Sequence, residues 1–102
     1  MFSSIIISFP DESSARSLTR ILLERRLVAC SNIYPIESAY WWKGEIEETK
    51  EWMAEFKTQS RLFTEIEKTV KKLHPYENPC IIAHSIASGS KDYLEWIKES
   101  TD

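Results

Sequence analysis

The pattern of apolar and polar positions predicts four strands. Residues 2–9 form a short apolar run rich in isoleucine, which is typical of a strand buried on both faces at the centre of a sheet. Residues 28–42 predict a long second strand, and a turn at Gly44 leads into a third strand that ends at Thr58. The third strand alternates with period two. A fourth strand is predicted over residues 80–87.

Three helices are predicted between and after these strands. The first opens at Asp11, which can cap it, and repeats apolar residues at helical spacing. The second begins at Ser60 and stops before Pro75, and the third covers residues 91–99. The apolar positions that define the first two helices are Ala15, Leu18, Leu22, Leu62, Ile66, Val70 and Leu73.

The resulting order, β-α-β-β-α-β-α, predicts a single α+β domain over residues 1–102. Its first six elements match the ferredoxin-like split βαβ plan, βαββαβ, here followed by a C-terminal helix. This plan has an antiparallel sheet with both helices on one face. The other face needs cover, and oligomerisation is the simplest source of it. Pro35 within the second strand predicts a bulge or an edge position, because proline lacks a ladder donor.

The second and third strands are longer than the expected diameter of a compact domain of this size. Two strands of roughly 14 residues reach roughly 45 Å at about 3.3 Å per residue. A domain of this size spans only about 34 Å, so the hairpin is predicted to protrude. Its aromatic residues, Tyr40, Trp41, Trp42 and Trp52, then need cover, and we expect an interface with another copy of the chain.

The charge and composition of the chain argue against several classes of binding partner. The net charge is −3 with mixed signs, which argues against nucleic acid and against docking on a membrane surface. No apolar run approaches the 18 residues of a membrane span, and the N-terminus lacks the cationic lead of a signal peptide. The two cysteines, Cys30 and Cys80, are far apart and form no disulfide framework or zinc motif. We therefore expect a cytoplasmic protein with free thiols.

The chain resembles the CutA family of divalent-cation tolerance proteins along its whole length. Each matching segment alone is moderately specific, and all of them in this order and at these spacings are strongly specific. The segments are Pro10-Asp11, LLERRLVACSNI at 22–33, YWWKGEIEE at 40–48, FKT at 56–58, LHPYENP at 73–79 and DYLEWI at 92–97.

The resemblance implies a ferredoxin-like fold and a tight homotrimer held by strand pairing between subunits. It also implies a link to tolerance of divalent metals such as copper. The trimer agrees with the protruding hairpin, which was predicted from strand length alone. No cofactor is implied as required, and Cu(II) or another divalent cation is expected to bind weakly.

The metal ligands proposed for some family members are mostly absent from this chain. A Cys of the first strand is replaced by Ile7, and the first of two consecutive His is replaced by Leu73. Only His74 remains as a candidate metal ligand, with Glu77 three residues on, whereas Cu(II) prefers several N or O donors. The alternative is that His74 simply caps its helix at the C-terminal end.

A second set of residues predicts a ligand cleft. Tyr76 and Glu77 come from the proline-stiffened loop, Lys57 from the third strand, and Tyr40, Trp42 and Glu47 from the hairpin. In a trimer the hairpin of one subunit can reach the loop of the next, which would form a cleft at each subunit boundary. The alternatives are that Lys57 and Glu47 form only an intersubunit ion pair, and that the aromatic residues form only interface core.

The sequence and the resemblance leave three classes of function to distinguish. The first is a metal-tolerance or ligand-sensing trimer without catalysis. The second is a signalling trimer similar to the PII regulators, which bind small anions between subunits, although this chain has only two glycines and no glycine-rich phosphate loop. The third is an enzyme. We expect no catalytic activity, because the two histidines, His74 and His84, lie outside any nucleophile or acid–base motif.

Overall fold

The computed structural model describes residues 1–102 and contains four strands and three α-helices. A single 3₁₀ turn, Ser60–Leu62, precedes the second helix. The elements in chain order are β1 (Phe2–Phe9), α1 (Glu12–Glu24), β2 (Cys30–Trp42), β3 (Glu45–Gln59), α2 (Phe63–Leu73), β4 (Ile81–Ser85) and α3 (Lys91–Ser100).

The four strands form one antiparallel sheet in the order β2-β3-β1-β4. The predicted α+β class and the central position of β1 are confirmed. β2 is an edge strand and its register with β3 is continuous, with Pro35 opposite Trp52. The missing N–H of Pro35 is therefore tolerated by the edge position, and no bulge is needed.

The core lies between one face of the sheet and the helices α1 and α2. Alternate residues of β1 and β3 point into it, and each helix contributes its apolar stripe. Its largest members are completely buried: Ile5, Ile7, Phe9, Phe56, Leu22 and Ile66. Leu73, which the helical spacing assigned to the same stripe, is 50% exposed in the last turn of α2.

Helix α3 lies against the opposite face, near the start of β2. Tyr93 Oη lies 3.6 Å from Cys30 Sγ, and the Gln59 amide donates to Thr101 Oγ1 at 2.9 Å. Cys30 and Gln59 occupy positions that point away from the α1–α2 core. The third helix therefore covers part of the second sheet face and leaves the hairpin end of that face open.

Several boundaries differ from the sequence prediction. β4 covers Ile81–Ser85 rather than residues 80–87, because only five of its residues pair with β1. β2 begins at Cys30 rather than Val28, since the chain leaves α1 through a turn in which Arg26 has a φ of 60°. The predicted start of the second helix at Ser60 is the 3₁₀ turn.

The β2–β3 hairpin extends far beyond the core. Its 13 pairs run from Cys30 opposite Lys57 to Trp42 opposite Glu45, whereas β1 ends opposite Trp52. The long axis of the chain is 44 Å, against 25 and 21 Å for the other two. The two turn residues, Lys43 and Gly44, both have positive φ, as in the tight turns whose twist matches that of paired strands.

A substitution at the N-cap of α1 tests how this helix is held. The Ser14 N–H donates to Asp11 Oδ1 at 2.7 Å. Asp11→Ala removes this acceptor, and we expect it to lower the free energy of unfolding by about 1 kcal/mol. Asp11→Asn keeps an acceptor and is the matched control. Urea unfolding of the three proteins at one fixed concentration measures the difference, and equal midpoints for Asp11→Ala and wild type would contradict it.

Candidate functional site

A cavity of about 770 Å³ lies along the hairpin, from Ser8 near the end of β1 to Trp42 beside the turn, on the sheet face opposite the α1–α2 core. We call it the hairpin cavity. The hairpin forms one wall, and the loop between α2 and β4 forms the other. The residues that give it its chemistry are four acids, Glu37, Glu47, Glu51 and Glu77, and four aromatic residues, Tyr40, Trp41, Trp42 and Tyr76.

Glu51 is the most deeply placed of the four acids, with only 6% of its surface exposed. Tyr76 Oη donates to Glu51 Oε2 at 2.5 Å, a short bond typical of a hydroxyl on a carboxylate. Burial, followed by this hydrogen bond, raises the pKa of Tyr76 above its usual value, so the phenol stays protonated and keeps donating. The pair fixes the loop against the hairpin.

The hairpin cavity carries negative charge without an opposing cation. No Lys, Arg or His side chain lines it. The five ion pairs of the chain all lie elsewhere and include none of its four acids, although Glu37 lies directly opposite Lys50 on the neighbouring strand. Since an isolated charge is costly to bury, the arrangement favours a positively charged group from outside the chain.

His74 is used as a structural residue within the chain. It is 9% exposed, and its ring stacks on Phe9 with the centroids 4.8 Å apart. Nε2 lies 2.7 Å from the Ser8 carbonyl oxygen, and Nδ1 accepts from the Tyr76 N–H at 3.0 Å. Nε2 therefore donates and the imidazole is neutral, so a metal ion would have to displace one of these bonds.

The electrostatics of His74 agree with this hydrogen bonding. Burial lowers the pKa of His74 below its usual value, and outweighs the hydrogen bond to Ser8 and the Glu51 carboxylate, both of which raise it. The chain contains no group of three or more His, Cys, Asp or Glu side chains placed to hold a metal ion. Within the chain His74 thus joins the loop to β1, and its role as a metal ligand stays a prediction.

The structure brings together five of the six residues predicted for the ligand cleft. Tyr40, Trp42, Glu47, Tyr76 and Glu77 all line the hairpin cavity, and they do so within one chain rather than between two. The predicted cleft, in which the hairpin of one subunit lies over the loop of the next, stays a prediction, because it concerns contacts between two chains.

Lys57 does not belong to the hairpin cavity. It lies at the base of the hairpin, where Nζ is 3.4 Å from Asn32 Oδ1 and 3.8 Å from Glu55 Oε2. Ten residues separate it from Glu47 along β3, which is about 33 Å of extended strand. Within one chain these two side chains cannot meet, and the predicted ion pair between them requires a second copy.

The aromatic residues predicted for an interface are exposed at the tip and half-buried nearer the core. Trp41 is 72% exposed, Trp42 41% and Tyr40 39%. Trp52 is half-buried opposite Pro35 and Phe9, at the point where β1 ends. The first three also line the hairpin cavity.

Several residues of the cavity were not identified from the sequence as part of the site, and Glu51 and Cys80 are the two with the clearest chemistry. Glu51 is one of several acids of the hairpin, and no local pattern separates it from its exposed neighbours. Cys80 also lines the cavity, and burial, followed by the Glu51 carboxylate, raises the pKa of its thiol. This disfavours the reactive thiolate. The place of Glu51 in the site can be recognised only from the structure, in which Tyr76 contacts it.

Comparison with known proteins identifies the family. The model of the CutA1 divalent ion tolerance protein family matches residues 3–100. The chain belongs to the CutA1 family. The divalent-cation tolerance protein CutA of Thermotoga maritima is 45% identical over 93 residues, which cover 91% of this chain and 92% of the relative. Human protein CutA is 39% identical over 101 residues, 98% of this chain and 56% of the human protein.

Solved structures of CutA proteins share the fold. The chain superimposes on the structure from Archaeoglobus fulgidus with a TM-score of 0.98 at 41% identity, over the full length of both chains. The structure of Cut A1 from Thermus thermophilus gives a TM-score of 0.96 at 41% identity, also over both full lengths. The resemblance noted in the sequence is thus confirmed. No helix of this chain is long and apolar enough to cross a membrane.

The neutral state of His74 predicts a pH dependence of stability. The unfolded chain takes up a proton at His74 below about pH 6.5, whereas the folded chain, with its lowered pKa, does not. Stability present above pH 6.5 is therefore lost as the pH falls towards the folded pKa. We expect His74→Gln to flatten this loss and His84→Gln, at an exposed position, to leave it unchanged.

Urea unfolding between pH 7.5 and 5.5 at fixed protein concentration measures this dependence. The comparison uses the change with pH within each protein, so an overall destabilisation by His74→Gln does not affect it. Identical slopes for wild type, His74→Gln and His84→Gln would rule out His74 as the group responsible.

Proposed function

We propose that this CutA-family chain acts as a homotrimer without catalysis that contributes to the response to divalent metal ions, including copper, by weak cation binding at its carboxylates. The observation that supports this most directly is the hairpin cavity, which is lined by Glu47, Glu51 and Glu77 and by no basic side chain. Family membership supports the link to divalent-cation tolerance.

Weak binding is the form of metal binding that this chain supports. Carboxylate oxygens accept divalent cations, but tight and selective Cu(II) binding needs several N or O donors in a fixed geometry, and the chain has no cluster of three or more side chains placed to hold a metal ion. The nitrogens of His74 are engaged in hydrogen bonds, and Cys80 favours its protonated form. The carboxylates of the hairpin, with Glu47 at the edge of the cavity, therefore carry the proposed metal interaction.

The proposed trimer rests on exposed apolar surface and open sheet edges. Trp41, Trp42 and Ile46 are strongly exposed near the hairpin tip, and β2 and β4 both have one unpaired edge. Such edges and aromatic surfaces are usually covered in native proteins. A partner copy of the same chain would cover both at once, in line with strand pairing between subunits.

We also propose that the chain has no catalytic activity. The cavity holds acids, aromatic residues and one thiol whose pKa is raised, and these do not make a nucleophile with an adjacent base. The family match favours metal tolerance over the alternative of a PII-like signalling trimer. A net charge of −3 supports the expectation that neither nucleic acid nor membrane is a partner.

The cytoplasm is our proposal for the compartment, and two free cysteines are consistent with it. The structure from Archaeoglobus fulgidus is described as that of a periplasmic protein. Cell fractionation followed by detection of the chain distinguishes these two compartments.

Calorimetry with Cu(II), Zn(II) and Cd(II) tests the metal proposal. We expect weak binding that His74→Gln leaves within about two-fold of wild type, because both imidazole nitrogens are already bonded. Glu47→Gln should weaken binding, and Glu95→Gln on α3 is the charge-matched control. Tight binding that His74→Gln abolishes would contradict the assignment to carboxylates.

Substitutions in the hairpin test the trimer. We expect Tyr40→Ala and Trp52→Ala to weaken each subunit contact by about 1–2 kcal/mol, the usual effect of truncating an interface aromatic. Light scattering over a dilution series measures dissociation, and circular dichroism shows whether the helices remain. Leu23→Ala, at an exposed position of α1, is the control. Variants that stay trimeric at low micromolar concentration would overturn this prediction.

A further inference from the structure

We draw no further inference here: the strongest candidate, the groove of about 250 Å³ between α1 and the C-terminal end of α2, carries nothing, because all buried polar side-chain atoms of the chain are already hydrogen-bonded and nothing in the structure shows what covers it.

Discussion

The pairing of β2 with β3 continues well beyond the end of β1, and the remaining features of the molecule depend on that excess length. Up to Trp52 the hairpin is one side of a covered sheet, with β1 beside it and two helices on one face. Beyond Trp52 it is a two-stranded ribbon, and isolated ribbons are marginal in water. The turn at Lys43 and Gly44 sets its twist but adds no burial. Stability of the ribbon must therefore come from contacts outside the sheet.

One such contact lies within the chain. The loop after α2 reaches the ribbon, and Tyr76 bonds to Glu51 while its own N–H bonds to His74. His74 in turn is bonded to Ser8 of β1, so the core, the loop and the ribbon form one continuous hydrogen-bonded path. This path leaves a space between loop and ribbon, and that space is the hairpin cavity. None of the acids that line it forms an ion pair within the chain.

The helices and strands, the central position of β1 and the protrusion of the hairpin could all be predicted from the sequence. Each of them depends on local periodicity or on strand length. Five residues that line the cavity were also named from the sequence, by residue type and by position on the hairpin or the loop, although the predicted cleft lay between two subunits. Whether Lys57 meets Glu47 across a subunit boundary stays a prediction, because about 33 Å of strand separates the two residues within one chain. The sequence did not reveal Glu51, because its burial depends on a loop that is distant in sequence. For His74 it left both a metal role and a helix-capping role open, since the hydrogen bond of the ring to Ser8 spans 66 residues.

The central claim is that the ribbon is covered in solution by other copies of the chain. Every second amide of β2 points away from β3, and in an isolated chain these N–H groups face water. Residue-resolved hydrogen exchange of the wild-type protein measures their protection directly. The account predicts that outward-pointing amides along the ribbon exchange far more slowly than those of a solvated edge strand. Exchange of these amides at the rate of an unprotected chain, while the amides of β1 stay protected, would contradict it.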